Sequence, residues 1–467
     1  MEKISSELDY TPKVLNHSSV VYRKLTPQGA ATAIPLSAAS AVGPTEIVIS
    51  PACFNPAKSR LNFQLALPDP GATVKANWLN ANALTAISRL VLYDTSNSSV
   101  WCDVSNFEKY ASLMVPLATS FDEFATKGGN GTLGANAQIL PTTAALSSIV
   151  PREDIEKCNS LVNVTDGNVA LAGVQGCNSF FGRRQLYVGA DTSTSFVDFS
   201  IPFSAFKFTA LALDKVIYSP SNLVCQIYWN ATDNFAWWSE SITSPIATSI
   251  NSLASCSVNN VSVSLATEGN LSIVSSVIDR VMKTGVSIPI AYPTVSRTAI
   301  ASSTSHSTQL QLTRGYGSRI LAIVTAPFTN TTTPADAPTV NHRNSHTRGL
   351  LTNYNTFLNN TAILYPNNID CTQGEDWKVA NKEYYERSVV QNIGEYVNAE
   401  YALIDSFVGT RPMHEVDQTE IDGLDVSTQS ATWSIVANYS AATAATYVSV
   451  IIGQKTLSLG AMGSMVQ

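Results

Sequence analysis

One pattern occurs twice, half a chain apart. Ser88-Arg89 opens the apolar run Leu90-Val91-Leu92-Tyr93, and Asn106-Phe107-Glu108-Lys109-Tyr110 follows. Ser318-Arg319 opens Ile320-Leu321-Ala322-Ile323, and Asn353-Tyr354-Asn355-Thr356-Phe357 follows. The two Ser-Arg pairs lie 230 residues apart (319 − 89) in a chain of 467. A single repeat at half-length points to two copies of one domain, not to a solenoid. The competing reading is chance similarity, since Arg89 precedes Asn106 by 17 residues and Arg319 precedes Asn353 by 34.

Around these copies the chain reads as short strands. Leu61 to Leu67 alternates with apolar residues at odd positions, and Pro68 stops it. Phe196 to Phe203, Leu223 to Trp229 and Val261 to Leu265 continue the first half. Val286 to Tyr292, Gln309 to Leu312, Ile320 to Thr325, Ala431 to Tyr439, Thr446 to Ile452 and Thr456 to Leu459 make up the second. Helical spacing is rarer. Ser105-x-x-Glu108 reads as a capping box before Phe107, Tyr110, Ala111 and Met114, with Pro116 ending or bending the helix. A second box, Ser120-x-x-Glu123, opens a short helix closed by Lys127-Gly128-Gly129. Another helix runs from about Ser276 to Thr284 with Gly285 as its C-cap, and joins the halves. A further helix is expected near Trp377 to Tyr401.

The predicted organisation is an arm over 1–44, punctuated by Pro12, Pro27, Pro35 and Pro44, then a first domain over 45–268 with a long loop at 128–195. A linker helix and second domain occupy 269–467, with a long loop at 327–430. Such weakly periodic excursions are usually functional or exposed.

Several function classes are disfavoured. Charged residues are 13% and net charge is −7, and the first 24 residues hold four cations against three anions, so no basic arm for nucleic acid is present. Met1 to Glu7 has no apolar core of a signal peptide, and no run of 18 apolar residues exists. Seven scattered cysteines without C-x-x-C read as reduced thiols of a protein made in a cytosol. Ten Asn-x-Ser/Thr sequons are expected by chance in so Ser/Thr-rich a chain.

Candidate chemistry is thin. Gly129 to Gly134 matches G-x-G-x-x-G but lacks the preceding strand and following helix that a dinucleotide site needs. His342 and His346 are four apart, without a nearby Cys or carboxylate to complete a zinc site. The adjacent acid pairs Asp122/Glu123, Glu153/Asp154 and Glu375/Asp376 read as solvated caps or faces. The tryptophans Trp78, Trp101, Trp229, Trp237, Trp238, Trp377 and Trp433 suit a sugar platform less well than core or interface anchoring. No catalytic, cofactor-binding or metal residue is expected, and no enzymatic activity.

The Arg89 and Arg319 strands, the aromatic motifs after them, and Phe199-Ser200-Ile201-Pro202-Phe203 followed by Leu223 to Trp229 resemble the double jelly-roll major capsid proteins. That lineage includes the adenovirus hexon and the coats of tailless phages, virophages and Polinton-like viruses. The resemblance is one of organisation over about residues 45 to 460. It implies an all-β fold of two consecutive eight-stranded jelly rolls with short helices in long inter-strand loops. It also implies a homotrimeric, pseudo-hexagonal capsomer tiling an icosahedral shell, with neighbouring capsomers, penton and minor capsid proteins as partners. An inner membrane beneath the shell is compatible with it, and direct nucleic-acid binding is not expected. The alternative is a carbohydrate-binding or adhesin-like β-sandwich surface protein.

Overall fold

The computed structural model describes residues 19–29, 33–36, 43–67, 75–79, 83–118, 184–189, 195–231, 236–239, 250–252, 256–329, 351–363, 367–371, 403–407 and 423–467. The first half contains β1 (Val20–Leu25), β2 (Ala33–Pro35), β3 (Thr45–Ile49), β4 (Ala52–Phe54), β5 (Arg60–Leu67), β6 (Lys75–Leu79), β7 (Ile87–Asp94), β8 (Val100–Ser105) and helix α1 (Phe107–Ala118). It continues with β9 (Arg184–Gly189), β10 (Ser195–Pro202), β11 (Ile217–Ser219), β12 (Leu223–Trp229), β13 (Ala236–Ser239), β14 (Ile250–Ser252) and β15 (Ser257–Glu268). Helix α2 (Leu271–Thr284) leads into the second half. There β16 (Val286–Leu312), β17 (Arg319–Thr329), β18 (Leu351–Leu358), β19 (Thr361–Ala362), β20 (Ile369–Asp370), β21 (Leu403–Ser406), β22 (Leu424–Asp425), β23 (Ala431–Gly460) and β24 (Gly463–Val466) follow.

The strand order defines the fold. In the first half, β1 and β2 lie on β15, which lies on β5, which lies on β10. The facing sheet runs β3-β12-β7-β8. Taking β1 and β2 together as the first strand, eight strands in chain order form sheets 1-8-3-6 and 2-7-4-5, all antiparallel. That is the jelly roll. A small separate sheet, β14-β13-β6-β9, stands off it.

The second half repeats this order with fewer breaks. Residues 286–300 of β16 pair with 445–459 of β23, which pairs with β17 and then β21. Residues 305–312 of β16 pair with 431–438 of β23, which pairs with β18 and then β20. These are again sheets 1-8-3-6 and 2-7-4-5. Here the first two strands run on as one, and so do the seventh and eighth, so both sheets share bent strands. Bulges between Ile300 and Ser305 mark the corner. The burial pattern confirms the geometry: His306, Thr308, Leu310 and Leu312 point inward, alternating with exposed Ser307, Gln309 and Gln311.

The strand order repeats in the two halves, but the two sequence copies do not mark equivalent places, so the sequence pattern itself is the chance similarity. Arg89 lies in the fourth strand of the first roll, and Arg319 opens the third strand of the second. Asn106 to Tyr110 enters helix α1, whereas Asn353 to Phe357 lies within β18. A polar residue followed by two aromatics three apart serves either a buried helix face or a strand, and only the tertiary context decides.

Other expectations are corrected as well. The arm over 1–44 does not stand apart throughout: Val20–Leu25 and Ala33–Pro35 pair with β15 and complete the first sheet. The stretch 327–430 is not one loop, because β18 is a paired strand within it. The Ser105 capping box does not form. Asn106, in a left-handed conformation (φ 51°), precedes the helix and its carbonyl accepts from Lys109 and Tyr110. Glu108 Oε2 is left buried with no hydrogen-bond partner, and burial raises its pKa. Helix α1 continues through Pro116 to Ala118. Linker helix α2 is longer than expected: Asn270 caps its start by accepting from the Ser272 N–H at 3.0 Å, and Gly285 (φ 71°) caps its end. The box at Ser120, most of 128–195 and the helix expected near Trp377 to Tyr401 lie outside the described residues.

Candidate functional site

The junction between the rolls is the most constructed region of the described chain. Strand β17 is buried on both faces, from Ile320 to Pro327. Ile320 and Ile323 face the second roll's own core, with Trp433, Tyr447 and Ile451. Leu321, Ala322 and Val324 belong instead to a core shared with Trp101, Phe107, Tyr110 and Met114 of the first roll. Strand β23 divides in the same way: Val448, Val450 and Ile452 join the shared core. A sheet buried on both faces reads as a continuous apolar run, which is why residues 320–327 and 447–452 lack alternation. Helix α1 is the first roll's wedge into this interface, and its Phe107, Tyr110, Ala111, Leu113 and Met114 are fully buried.

Polar contacts fix the register across the junction. Asp94, at the end of β7, is completely buried. Its Oδ1 accepts from the Ser96 N–H at 2.8 Å and Ser96 Oγ at 2.7 Å. Its Oδ2 accepts from Ser221 Oγ at 2.5 Å, the Ser464 N–H at 2.9 Å and Ser464 Oγ at 2.6 Å. Ser464 Oγ in turn accepts from Trp101 Nε1 at 2.7 Å. Burial acts to raise the Asp94 pKa, but the donors from Ser221, Ser464 and Ser96 outweigh it and hold the carboxyl below its usual range. Ser464 lies in β24, so this carboxylate ties the C-terminal hairpin of the second roll onto the first. The N–H of Val466 adds a bond to Ser99 Oγ at 2.9 Å. At the other edge, Arg297 of β16 donates to Asn106 Oδ1 at 3.1 Å.

Two buried polar clusters organise the second roll. Asp405 accepts from Trp433 Nε1 and Thr356 Oγ1, at 2.8 and 2.9 Å, and burial pushes its pKa up to about 6 against those two bonds. His306 donates from Nε2 to the Thr443 carbonyl at 2.9 Å, leaving Nδ1 to accept from the Tyr447 hydroxyl at 3.3 Å. The Tyr439 and Tyr447 hydroxyls are 2.7 Å apart. Together these groups pin the corner where β23 bends. Neither cluster has the open face that a reaction needs.

The residues singled out in the sequence are dispersed. Trp101 and Trp433 are buried anchors, as expected, and Trp229 is half-buried against Phe63. Arg89 forms a two-point pair with Asp103, and Arg319 lies 3.8 Å from Asp425, so each arginine serves a neighbouring strand. Gly129 to Gly134, His342, His346 and the three acid pairs lie outside the described residues. Among the described residues no group of three His, Cys, Asp or Glu is placed to hold a metal, and no helix is long and apolar enough to cross a membrane. Cys53, Cys102, Cys225, Cys256 and Cys371 are free thiols. Asp94, Ser464, His306 and Asp405 were not legible as a set, because their partners lie up to 370 residues away.

Among the described residues, large apolar side chains are exposed at few places. Val20, Val21 and Tyr22 are exposed along edge strand β1, which among the described residues pairs only with β15. Leu271 is exposed at the start of α2, and Met462 and Met465 at the β23–β24 hairpin.

The chain is similar to viral major capsid proteins. The mavirus major capsid protein crystal structure aligns over 100% of this chain and 95% of its own, at 10% identity and a TM-score of 0.48. PBCV-1 VP54, as fitted into a reconstruction of the virophage Sputnik, aligns over 98% of both chains at 10% identity and 0.49. A Sputnik virophage structure from cryo-electron microscopy aligns over 100% of this chain and 92% of its own, at 12% identity and 0.44. No protein-family model matches the chain, and no curated protein does. The strand order, not these likenesses, establishes the fold as a double jelly roll.

Proposed function

We propose that this chain is the major capsid protein of an icosahedral virus and assembles as a homotrimer. The observation that carries this reading is the repeated strand order, 1-8-3-6 and 2-7-4-5, in two rolls fused through one core. Three such chains around a three-fold axis present six like rolls, a block of nearly hexagonal outline that tiles a flat facet. Closed cyclic symmetry makes that trimer a natural unit. The exposed apolar stretch of β1 and the start of α2 suits burial against a neighbouring chain, since edge strands left bare invite pairing. Neighbouring capsomers are the principal partners, with penton and minor capsid proteins completing the shell above an optional inner membrane. The protein is accordingly structural, without catalytic role, made in the host cytosol and resident in the virion shell.

Electron microscopy of the purified full chain tests this. Class averages of three-fold particles with a hexagonal outline are the expected result. Single two-lobed particles that bind a glycan array would overturn it in favour of an adhesin.

A further inference from the structure

A cavity of about 330 Å³ lies where the first roll, the linker helix and the second roll meet. Ile217 of β11 lines it from the first roll, Val277 and Val281 from α2, and Val286, Ile288 and Leu459 from the second. Its size falls at the small end of about 300–1,000 Å³ for ligand sites, room for one short chain. Most of its wall is apolar, and Ser287 is a polar side chain among the lining residues. Two cations, Lys215 and Arg280, also line it, and both are exposed. Among the described residues neither has a carboxylate partner. The carboxylates beside them are engaged elsewhere: Asp279 pairs with Lys283 at 2.9 Å, and Asp214 accepts from Asn55 at 2.8 Å.

An apolar slot edged by two unpaired cations matches one chemistry. We propose that this cavity binds a single-chain anionic amphiphile of the alkyl carboxylate class, its chain between Ile217, Val281 and Leu459 and its head between Lys215 and Arg280. The reading does not depend on the capsid assignment. Because the ligand touches both rolls and the linker, it stabilises the folded chain by mass action and stiffens the angle between the rolls.

Calorimetric titration of the full chain with sodium decanoate, below its micelle concentration, is the test. Decanol supplies the chain without the charge, and acetate supplies the charge without the chain. The expected result is saturable one-to-one binding of decanoate, several-fold weaker binding of decanol and none of acetate, with a rise in Tm on decanoate addition. The double variant Lys215→Gln/Arg280→Gln should weaken decanoate severalfold while leaving decanol unchanged. Val277→Phe, which fills the slot from a half-buried position, should abolish both. Decanoate binding no tighter than decanol, binding that never saturates, or unchanged affinity in the charge variant would overturn the proposal. If Val277→Phe does not fold, the charge variant, altered only at exposed positions, decides alone.

Discussion

At the scale of single residues, Gly453 is the most crowded of the described glycines. A Cβ built there would lie 1.8 Å from the Tyr316 carbonyl oxygen, and that oxygen is backbone. Gly453 sits opposite Ile320 where β17 and β23 shift register. Gly453→Ala should lose at least the roughly 1–3 kcal/mol of an overpacked core in urea unfolding. Gly460→Ala, with nothing within 4 Å of its Cβ, should stay within about 0.5 kcal/mol. The two buried aspartates predict opposite pH behaviour. Asp94 has a lowered carboxyl, so its stabilisation is present above the unfolded-state pKa and is lost as pH falls through the folded value, below about 4. Asp94→Asn should cost about 1–3 kcal/mol at pH 7, because an amide N–H then faces donors, and should flatten the acid limb of the stability curve. Asp405 is raised to about 6, so the folded state holds its proton longer than the unfolded one. Its contribution is most favourable below about pH 4 and falls as pH rises through about 6, by on the order of 3 kcal/mol. Comparing wild type with Asp405→Asn in urea at pH 4.5 and 7.5 checks this: the wild type should lose ground to the variant at the higher pH.

Elements show what the sequence could and could not reveal. Leu61 to Leu65 was readable because Leu61, Phe63 and Leu65 are buried while Asn62 and Gln64 are only half-buried, and Val261 to Leu265 because its residues alternate in polarity even though Ser262 is buried. The continuity of β16 beyond Tyr292 was hidden by Pro293, which looks like a breaker. Among the described residues, 286–300 of β16 pair only with β23 and form a sheet edge, where a missing N–H is tolerated. Pro327 lies beyond the reach of β21, whose pairing ends at Thr325. Helix α2 was read one turn short because its cap, Asn270, precedes residues that are largely exposed. Asn270→Ala should lower stability by about 1 kcal/mol, read as a shift in the urea midpoint at unchanged slope. The cluster of Asp94, Ser464 and Trp101 was illegible because it joins positions from opposite ends of the chain, and nothing local marks a serine as the donor to a distant carboxylate.

For the whole molecule, the decisive feature is that one hydrophobic core runs through both rolls. Calorimetry should therefore show one unfolding transition, not two, with the calorimetric and van't Hoff enthalpies agreeing. Ser464→Ala, which loosens the hairpin that clasps the first roll, should lower that single transition without splitting it. On the proposed capsomer reading, the exposed apolar edge at β1 and Leu271 is the surface that a neighbouring copy would cover. The central claim is that the double roll is a capsomer subunit, and the native mass of the purified chain by light scattering tests it most directly. One chain has a mass of 50.0 kDa, so the account predicts a stable species at three times that, 150 kDa. A monodisperse 50.0 kDa monomer that persists at high protein concentration would contradict it.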